Sequence, residues 1–397
     1  MALFLVCLYI FYTVYEIFLS FLQINFIKEK RTQKAVVLSD EEYINAANIA
    51  IENEKFSIFS GCYNLLIAIF WIVFGLKLLS NLSFFQNDIL NQTAFVMAFL
   101  ILNSFLNLPL EIYSKFVKDK KFGFSNITAK IFIIDTIKSL ILTLIFGSLF
   151  VVVLIYCVEN LGSFWWFWAF LISFCVILLI NLIYPTLIAP IFNKMSPLQD
   201  GELKSQISAL LEKCGFKSNG VFVIDASKRD KRLNAYFGGF GATKKVVLFD
   251  TLIQKLTTNE ILAVLGHELG HFKHGDIIKN IIFAFFMLFA IFAVFGNISN
   301  TVFSELGLKA NGGVVLIFIF LFMPILQAFI QPLQSKFSRM HEFGADNFAK
   351  EIQSKDDMIS ALTKLGNQNK AFPLSHPLYS AIYHSHPSLY ERIKELQ

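Results

Sequence analysis

The sequence predicts a mainly α membrane protein of about seven transmembrane helices, with a metal-binding segment and a short β-hairpin or sheet on one side of the membrane. Three observations lead there. Of the 397 residues, 55% are hydrophobic, 16% are charged and 46 are Phe, and the mean hydropathy is +0.59. The apolar residues gather into windows longer than the ~18 residues that cross a bilayer. The run Ile261-Leu262-Ala263-Val264-Leu265 leads into His267-Glu268-Leu269-Gly270-His271, which on a helix places two imidazoles on one face with a glutamate between them.

The candidate spans, in order, are roughly 2–26, 56–80, 92–117, 129–158, 163–190, 277–299 and 313–335. The first does not read as a cleaved signal. No positive charge precedes it and no small-residue site ends it, while Lys28, Lys30, Arg31 and Lys34 follow. The loops alternate in charge. The loops after spans one and three carry Lys and Arg, those at 81–91 and 159–162 carry none, and 300–312 has only Lys309. Seven spans under the positive-inside rule then place 191–276 and 336–397 in the cytoplasm. Lys77, near the outer end of span two, is the exception. Four regions follow: a five-helix membrane region 1–190, a cytoplasmic segment 191–276 with the motif helix, two further membrane helices 277–335, and a C-terminal cytoplasmic segment 336–397.

Glu16, Glu111, Asp135 and Lys138 fall inside spans. Such groups require a partner or a wet cavity. Asp135 and Lys138, three apart, suit either an internal pair or a polar chamber. The five cysteines form no Cys-x-x-Cys pair, and four lie in apolar stretches, so they read as small core residues. The basic residues sit in loops without interleaved exposed aromatics, which argues against nucleic-acid binding.

In the cytoplasmic segment, Gly201–Lys213 reads as a helix, Val221–Ile224 as a strand ended by Asp225, Asn234–Gly241 as a glycine-rich turn, and Lys245–Asp250 as a second strand. Thr257 and Glu260 form a capping box for the motif helix. The glycines lack the Gly-Lys-Ser/Thr of a phosphate loop.

His267 and His271 supply two ligands for one Zn²⁺, with Glu268 placed to activate a water. A third ligand is required. The histidine six residues after the second, used in one extension of this motif, is Ile277 here, and His274 comes too early. The best candidate is Glu342 on a separate helix. Asp346, one turn on, can accept a hydrogen bond from a ligand histidine. His341 points about a quarter-turn away and is not assigned to the metal. Near the C-terminus, His386-Pro387 precedes Arg392, an imidazole and a guanidinium suited to stabilising an oxyanion.

On these residues the chain resembles the integral-membrane CAAX prenyl endopeptidases, the zinc-dependent a-factor-converting enzymes, which are gluzincins related to HtpX. The resemblance also rests on Tyr184-Pro185 through Asn193-Lys194, Pro197-Leu198, Asn234-Ala235-Tyr236-Phe237, Val247-Leu248-Phe249-Asp250, Glu342-Phe343-Gly344-Ala345-Asp346 and Ser385-His386-Pro387 before Glu391-Arg392. It implies an α-barrel around a water-filled chamber, closed by a zincin-like metalloprotease domain. It implies one Zn²⁺ on His267, His271 and Glu342, with Glu268, His386 and Arg392 catalytic. His376-Pro377 is a second His-Pro pair, but position 382 is Ile, so only His386 keeps the arginine. The segment Asn234, Ala235 and Tyr236 would border the substrate at a sheet edge. The expected substrate is a prenylated or otherwise lipid-anchored peptide, cut near its C-terminus, and the enzyme would sit in a lipid membrane (inner membrane if bacterial, endoplasmic reticulum if eukaryotic). HtpX-like quality control of membrane proteins is the alternative within the class. A scaffold or transporter with a structural zinc is the alternative outside it.

Overall fold

The computed structural model describes residues 1–239 and 244–397. Among the described residues, seven helices are long and apolar enough to cross a membrane: Ala2–Lys30, Asp40–Ser80, Asp88–Lys121, Ala129–Asn160, Gly162–Phe192, Asp276–Gly296 and Gly312–Ile352. Six of the seven expected spans fall within one of them, and the sixth, expected over 277–299, runs three residues past a helix that ends at Gly296. Two run far past the apolar windows. Span two starts at Asp40, where Ser39 and Glu42 close a capping box. Span seven leaves the membrane and continues unbroken to Ile352, so the boundary expected between residues 335 and 336 lies inside one helix.

The seven helices form an α-barrel around a chamber. The aromatic core is concentrated at the end away from the sheet, where Trp71, Phe99, Ile155, Phe170, Phe295 and Phe303 are buried together. Toward the other end of the barrel only small clusters are buried, such as Ile24, Ile27, Ala47 and Ile51. The molecule exposes 20196 Å², whereas a compact protein of 45.3 kDa exposes about 15,800 Å². One internal cavity is lined by Glu16, Asn64, Asn103 and Asn107. Glu16 there accepts from the Tyr12 hydroxyl at 2.7 Å.

Asp135 and Lys138 do not pair with each other. The Arg229 guanidinium donates to both oxygens of Asp135, at 2.8 and 3.0 Å, and to Asn193 at 3.2 Å. Lys138 instead donates to the Ile191 carbonyl at 2.7 Å. A planar fork satisfies a carboxylate better than an ammonium one turn away. The cysteines also depart from expectation. Cys157 is buried, but Cys7, Cys62 and Cys175 are exposed on the helices, where the barrel's apolar outside and hollow inside give small apolar residues other places than a core.

The sheet between spans five and six has the order β1-β2-β4-β3, from β1 (Met195–Pro197), β2 (Val221–Ile224), β3 (Ala235–Gly238) and β4 (Lys245–Phe249). β2 and β4 are parallel, and the outer pairs are antiparallel. Val246, Val247 and Leu248 are fully buried, so β4 is covered on both faces. The segment expected as a glycine-rich turn is mostly β3. Ala235-Tyr236-Phe237 pairs in register with β4, and glycine takes over only at Gly239, with φ +90°. Phe240 and Gly241 of that expectation lie outside the described residues.

The Asp135–Arg229 pair joins span four to the segment preceding β3. It is about four-fifths buried, with side-chain exposures of 19% and 24%. Asp135→Ala is expected to destabilise the protein by about 1–3 kcal/mol. Thermal unfolding of a double-mutant cycle with Arg229→Ala checks this, and a coupling near zero would show that the pair braces nothing.

Candidate active site

The motif helix, Thr258–Lys273, is capped as the sequence predicts, with Thr257 accepting from Glu260 N and Glu260 accepting from Thr257 N. Glu260 also receives Ser360 at 2.6 Å and Lys364 at 2.8 Å. Burial works to raise its pKa, but these donors prevail and hold it at about 2. The helix start is thereby tied to the helix Lys355–Gln368.

The motif helix meets span seven through small residues. A Cβ on Gly270 would lie 2.8 Å from Ala345 Cα, and one on Gly266 would lie 3.5 Å from Ala349 Cα. Two glycines four apart therefore sit on two alanines four apart, and the backbones approach as close as side chains permit. Glu342, one turn before Ala345, is carried up to both imidazoles by this contact.

His267 Nε2 lies 3.4 Å from Glu342 Oε2, and His271 Nε2 lies 3.3 Å from Glu342 Oε1. Ligand arms of 2.0–2.1 Å around a tetrahedral metal place neighbouring donors about 3.3–3.4 Å apart. Glu342 is 4% exposed, and its Oε2 is buried without a hydrogen-bond partner. The other imidazole nitrogens are engaged. His267 Nδ1 bonds Asp346 at 2.8 Å, and His271 Nδ1 bonds Asp276 at 3.0 Å. Both Nε2 lone pairs are thus turned to the common centre. Burial opposes charge on His267, yet Asp346 and Glu342 raise its pKa to about 9, so a proton competes with a metal ion for this ring. The donor set fits a zinc ion.

Glu268 sits between the histidines, and burial pushes its carboxyl above the usual carboxylate range against the pull of His267 and His271. His386 lies on the open side, its Nε2 3.3 Å from Glu342 Oε1 and its Nδ1 2.9 Å from Ser385 Oγ. Arg392 is carried by the C-terminal helix Leu389–Leu396, which begins with a Ser388–Glu391 capping box. Its Nε and one terminal nitrogen grip Asp346 at 2.8 and 2.6 Å, while its other terminal nitrogen lies 3.6 Å from Glu342 Oε2, and it lines the same cleft as His267, Glu268 and His386.

β3 is the free edge of the sheet and borders two clefts that meet at Glu268. One contains His271 and Phe237 with Phe216, Lys244 and Phe272. The other contains His267, Asn234 and Ala235 with apolar Leu252, Val264 and Leu362. Tyr236 pairs with Val247 across the strands, and Leu233 N donates to Asn369 Oδ1 at 2.9 Å to pin the start of the edge. Sequence reasoning missed Asp276, Asn369 and the glycine–alanine crossing. Asp276 had a signal, being an acid five residues after His271 that opens the next helix behind Gly275 in the left-handed region, φ +70°.

A helix-borne pair of imidazoles, a carboxylate from a second helix and a glutamate free to act as base, set in a barrel of membrane helices, define a membrane metallopeptidase. The comparisons agree. A family model described as peptidase family M48 matches residues 197–397, and one described as the CAAX prenyl protease N-terminal region with five membrane helices matches residues 23–194. CAAX prenyl protease 1 of Saccharomyces cerevisiae is 34% identical, with 96% of this chain and 92% of the relative covered. The CAAX prenyl protease 1 homolog of Homo sapiens is 32% identical, with 79% and 74% covered. The crystal structure of S. mikatae Ste24p matches with a TM-score of 0.92 at 30% identity, with 100% of this chain and 99% of that one covered. The chain belongs to peptidase family M48. It is a multi-pass membrane metalloprotease, and the scaffold and transporter readings fall away.

Loss of the carboxylate behind one ligand should weaken the centre without abolishing it. Asp276→Ala is expected to lower zinc affinity about 10–100-fold, read by competition with a chromophoric chelator. Affinity equal to wild type would show that Asp276 does not orient His271.

Proposed function

We propose that this protein cuts CAAX-type prenylated peptides, or similar lipid-anchored ones, near their C-termini, using one Zn²⁺ held by His267, His271 and Glu342. The triangle of these three side chains beneath a free sheet edge carries the reading. The match to CAAX prenyl protease 1 over 92% of that relative's length supports the substrate class.

Bound there, zinc supplies Lewis acidity to the attacking water and the scissile carbonyl. The substrate adds to β3 as a further strand beside Asn234, Ala235 and Tyr236, which holds its scissile bond over the centre. Glu268 takes the proton of the attacking water and returns it to the leaving amine. Its raised pKa suits a base working near neutrality. His386, on the open side, hydrogen-bonds the developing oxyanion. Arg392 grips Asp346, which fixes the ring of His267, and its remaining terminal nitrogen, on the cleft beside His386, joins His386 in stabilising the oxyanion.

A farnesylated peptide ending in a CAAX sequence should be cut after the modified cysteine by purified protein, and a chelator should stop it. Glu268→Ala should lower turnover by a factor of about 10²–10⁴ with zinc retained, while His267→Ala and Glu342→Ala should lose the metal as well. Mass spectrometry of the peptide and metal analysis of the protein read both. Survival of the farnesylated peptide with wild type would remove the substrate class, and normal turnover by Glu268→Ala would remove the mechanism.

The Lys/Arg asymmetry of the loops supports a site that faces the cytoplasm, at the endoplasmic reticulum in a eukaryotic cell. With the native cysteines replaced, single cysteines at Asn87 and Ser354 should be labelled from opposite faces of sealed vesicles, Ser354 from the cytoplasmic one. Labelling from one face refutes this topology.

A further inference from the structure

Spans three and four part company on the side of the active site. They pack where Asp88–Ile112 meets Ser148–Asn160, then diverge. Not one residue of Ala129–Leu142, the site-side half of span four, is buried. Phe132 packs edge-on against Phe116 of span three, and Asp135 and Lys138 are held by Arg229 and the Ile191 carbonyl, but Ile133, Ile134, Ile137 and Leu140 stay exposed, with lipid on one side of the helix and open space on the other. That space is a cleft of 430 Å³ between the two spans, within the size range of small-ligand pockets. Its walls are Leu100, Ile101, Phe105 and Leu108 from span three and Phe132 and Leu140 from span four. The Thr136 hydroxyl is turned back to the Phe132 carbonyl at 2.8 Å, so it presents no free donor there.

The charged mouth of the cleft says which lipid would suit it. Arg229, Arg232 and Lys115 are met there by Glu111, Asp119, Asp135 and Asp230, leaving one more acid than base. Arg229 is held by Asp135, and Arg232 by Asp230 at 2.6 Å and Asp119 at 3.3 Å. An anionic headgroup would find both arginines taken and an excess of carboxylate. A neutral hydrocarbon chain would meet apolar walls broken only by the Ser104, Ser139 and Thr143 hydroxyls. The mouth is also continuous with the site, because Arg232 lies two residues before Asn234, at most about 7 Å of extended chain from the start of the edge strand.

We propose that the cleft between spans three and four receives the uncharged isoprenoid chain of the substrate, leaving the attached peptide at β3. This rests on the reading of the substrate as a prenylated peptide and adds where the prenyl group lies. Filling the cleft should then act on the lipid alone. Ser139→Trp and Leu108→Trp each place an indole in it. The quantity to read is the ratio of kcat/KM for a farnesylated peptide to that for the same peptide without the farnesyl group. Partial unfolding scales both terms and leaves the ratio unchanged. Each variant should lower the ratio at least tenfold, with the change in KM for the farnesylated peptide. A farnesyl analogue carrying a photoreactive diazirine should crosslink to residues 100–108 or 132–143 of the wild type. Ratios within twofold of wild type in both variants, or crosslinks confined to other spans, overturn the placement. A wild-type enzyme that cuts the bare peptide but spares the farnesylated one overturns the substrate reading, and the placement with it.

Discussion

The centre depends on how closely two helices approach. Gly266 and Gly270 lie against Ala349 and Ala345, and no larger pair of residues would let the motif helix and span seven come near enough for one carboxylate to bridge two imidazoles. A methyl on Gly270 would overlap Ala345 Cα, and the overpacking this forces costs typically 1–3 kcal/mol. The larger effect would be on geometry, because a metal site tolerates about 0.2 Å in ligand distance. Small residues four apart are a familiar means of close helix packing in membranes. Here the same device sets a coordination distance.

Around that contact the carboxylates form a chain of restraint. Asp276 holds His271, Asp346 holds His267, and Arg392 holds Asp346. Each comes from a different helix: the start of span six, the end of span seven and the C-terminal helix. The centre is therefore assembled only when three separate stretches of chain have docked. Four acids surround it (Glu268, Asp276, Glu342 and Asp346) against two cations, Arg392 and Lys279. That surplus of negative charge favours a divalent cation and explains the raised basicity of His267.

Much of this was legible beforehand because it rests on local periodicity. The seven spans follow from apolar length, and the pairs His267/His271 and Glu342/Asp346 from four-residue spacing on a helix. The capping box at Thr257 is written in four consecutive residues. What escaped depends on partners distant in the chain. Asp135 was read against Lys138, three residues away, but its partner is Arg229, 94 residues on. Arg392 was found as a residue but not with its partner, since nothing in the sequence says that its fork meets Asp346. β3 was misread because Asn234 and the glycines that follow outweighed Ala235-Tyr236-Phe237 in composition, and only pairing with β4 makes that stretch a strand. Gly266 and Gly270 were visible as letters, yet their role appears only against Ala345 and Ala349.

Span seven runs without a break from Gly312 in the barrel to Ile352 beyond Glu342 and Asp346. Over the 30 residues from Gly312 to Glu342 it is about 45 Å long, and Pro324 and Pro332 interrupt its hydrogen bonding on the way, so it can bend at two places between the barrel and the centre. Because Gly270 is seated on Ala345, a bend there would carry the motif helix with the end of span seven, so the coordination triangle keeps its shape while the way it faces the chamber changes.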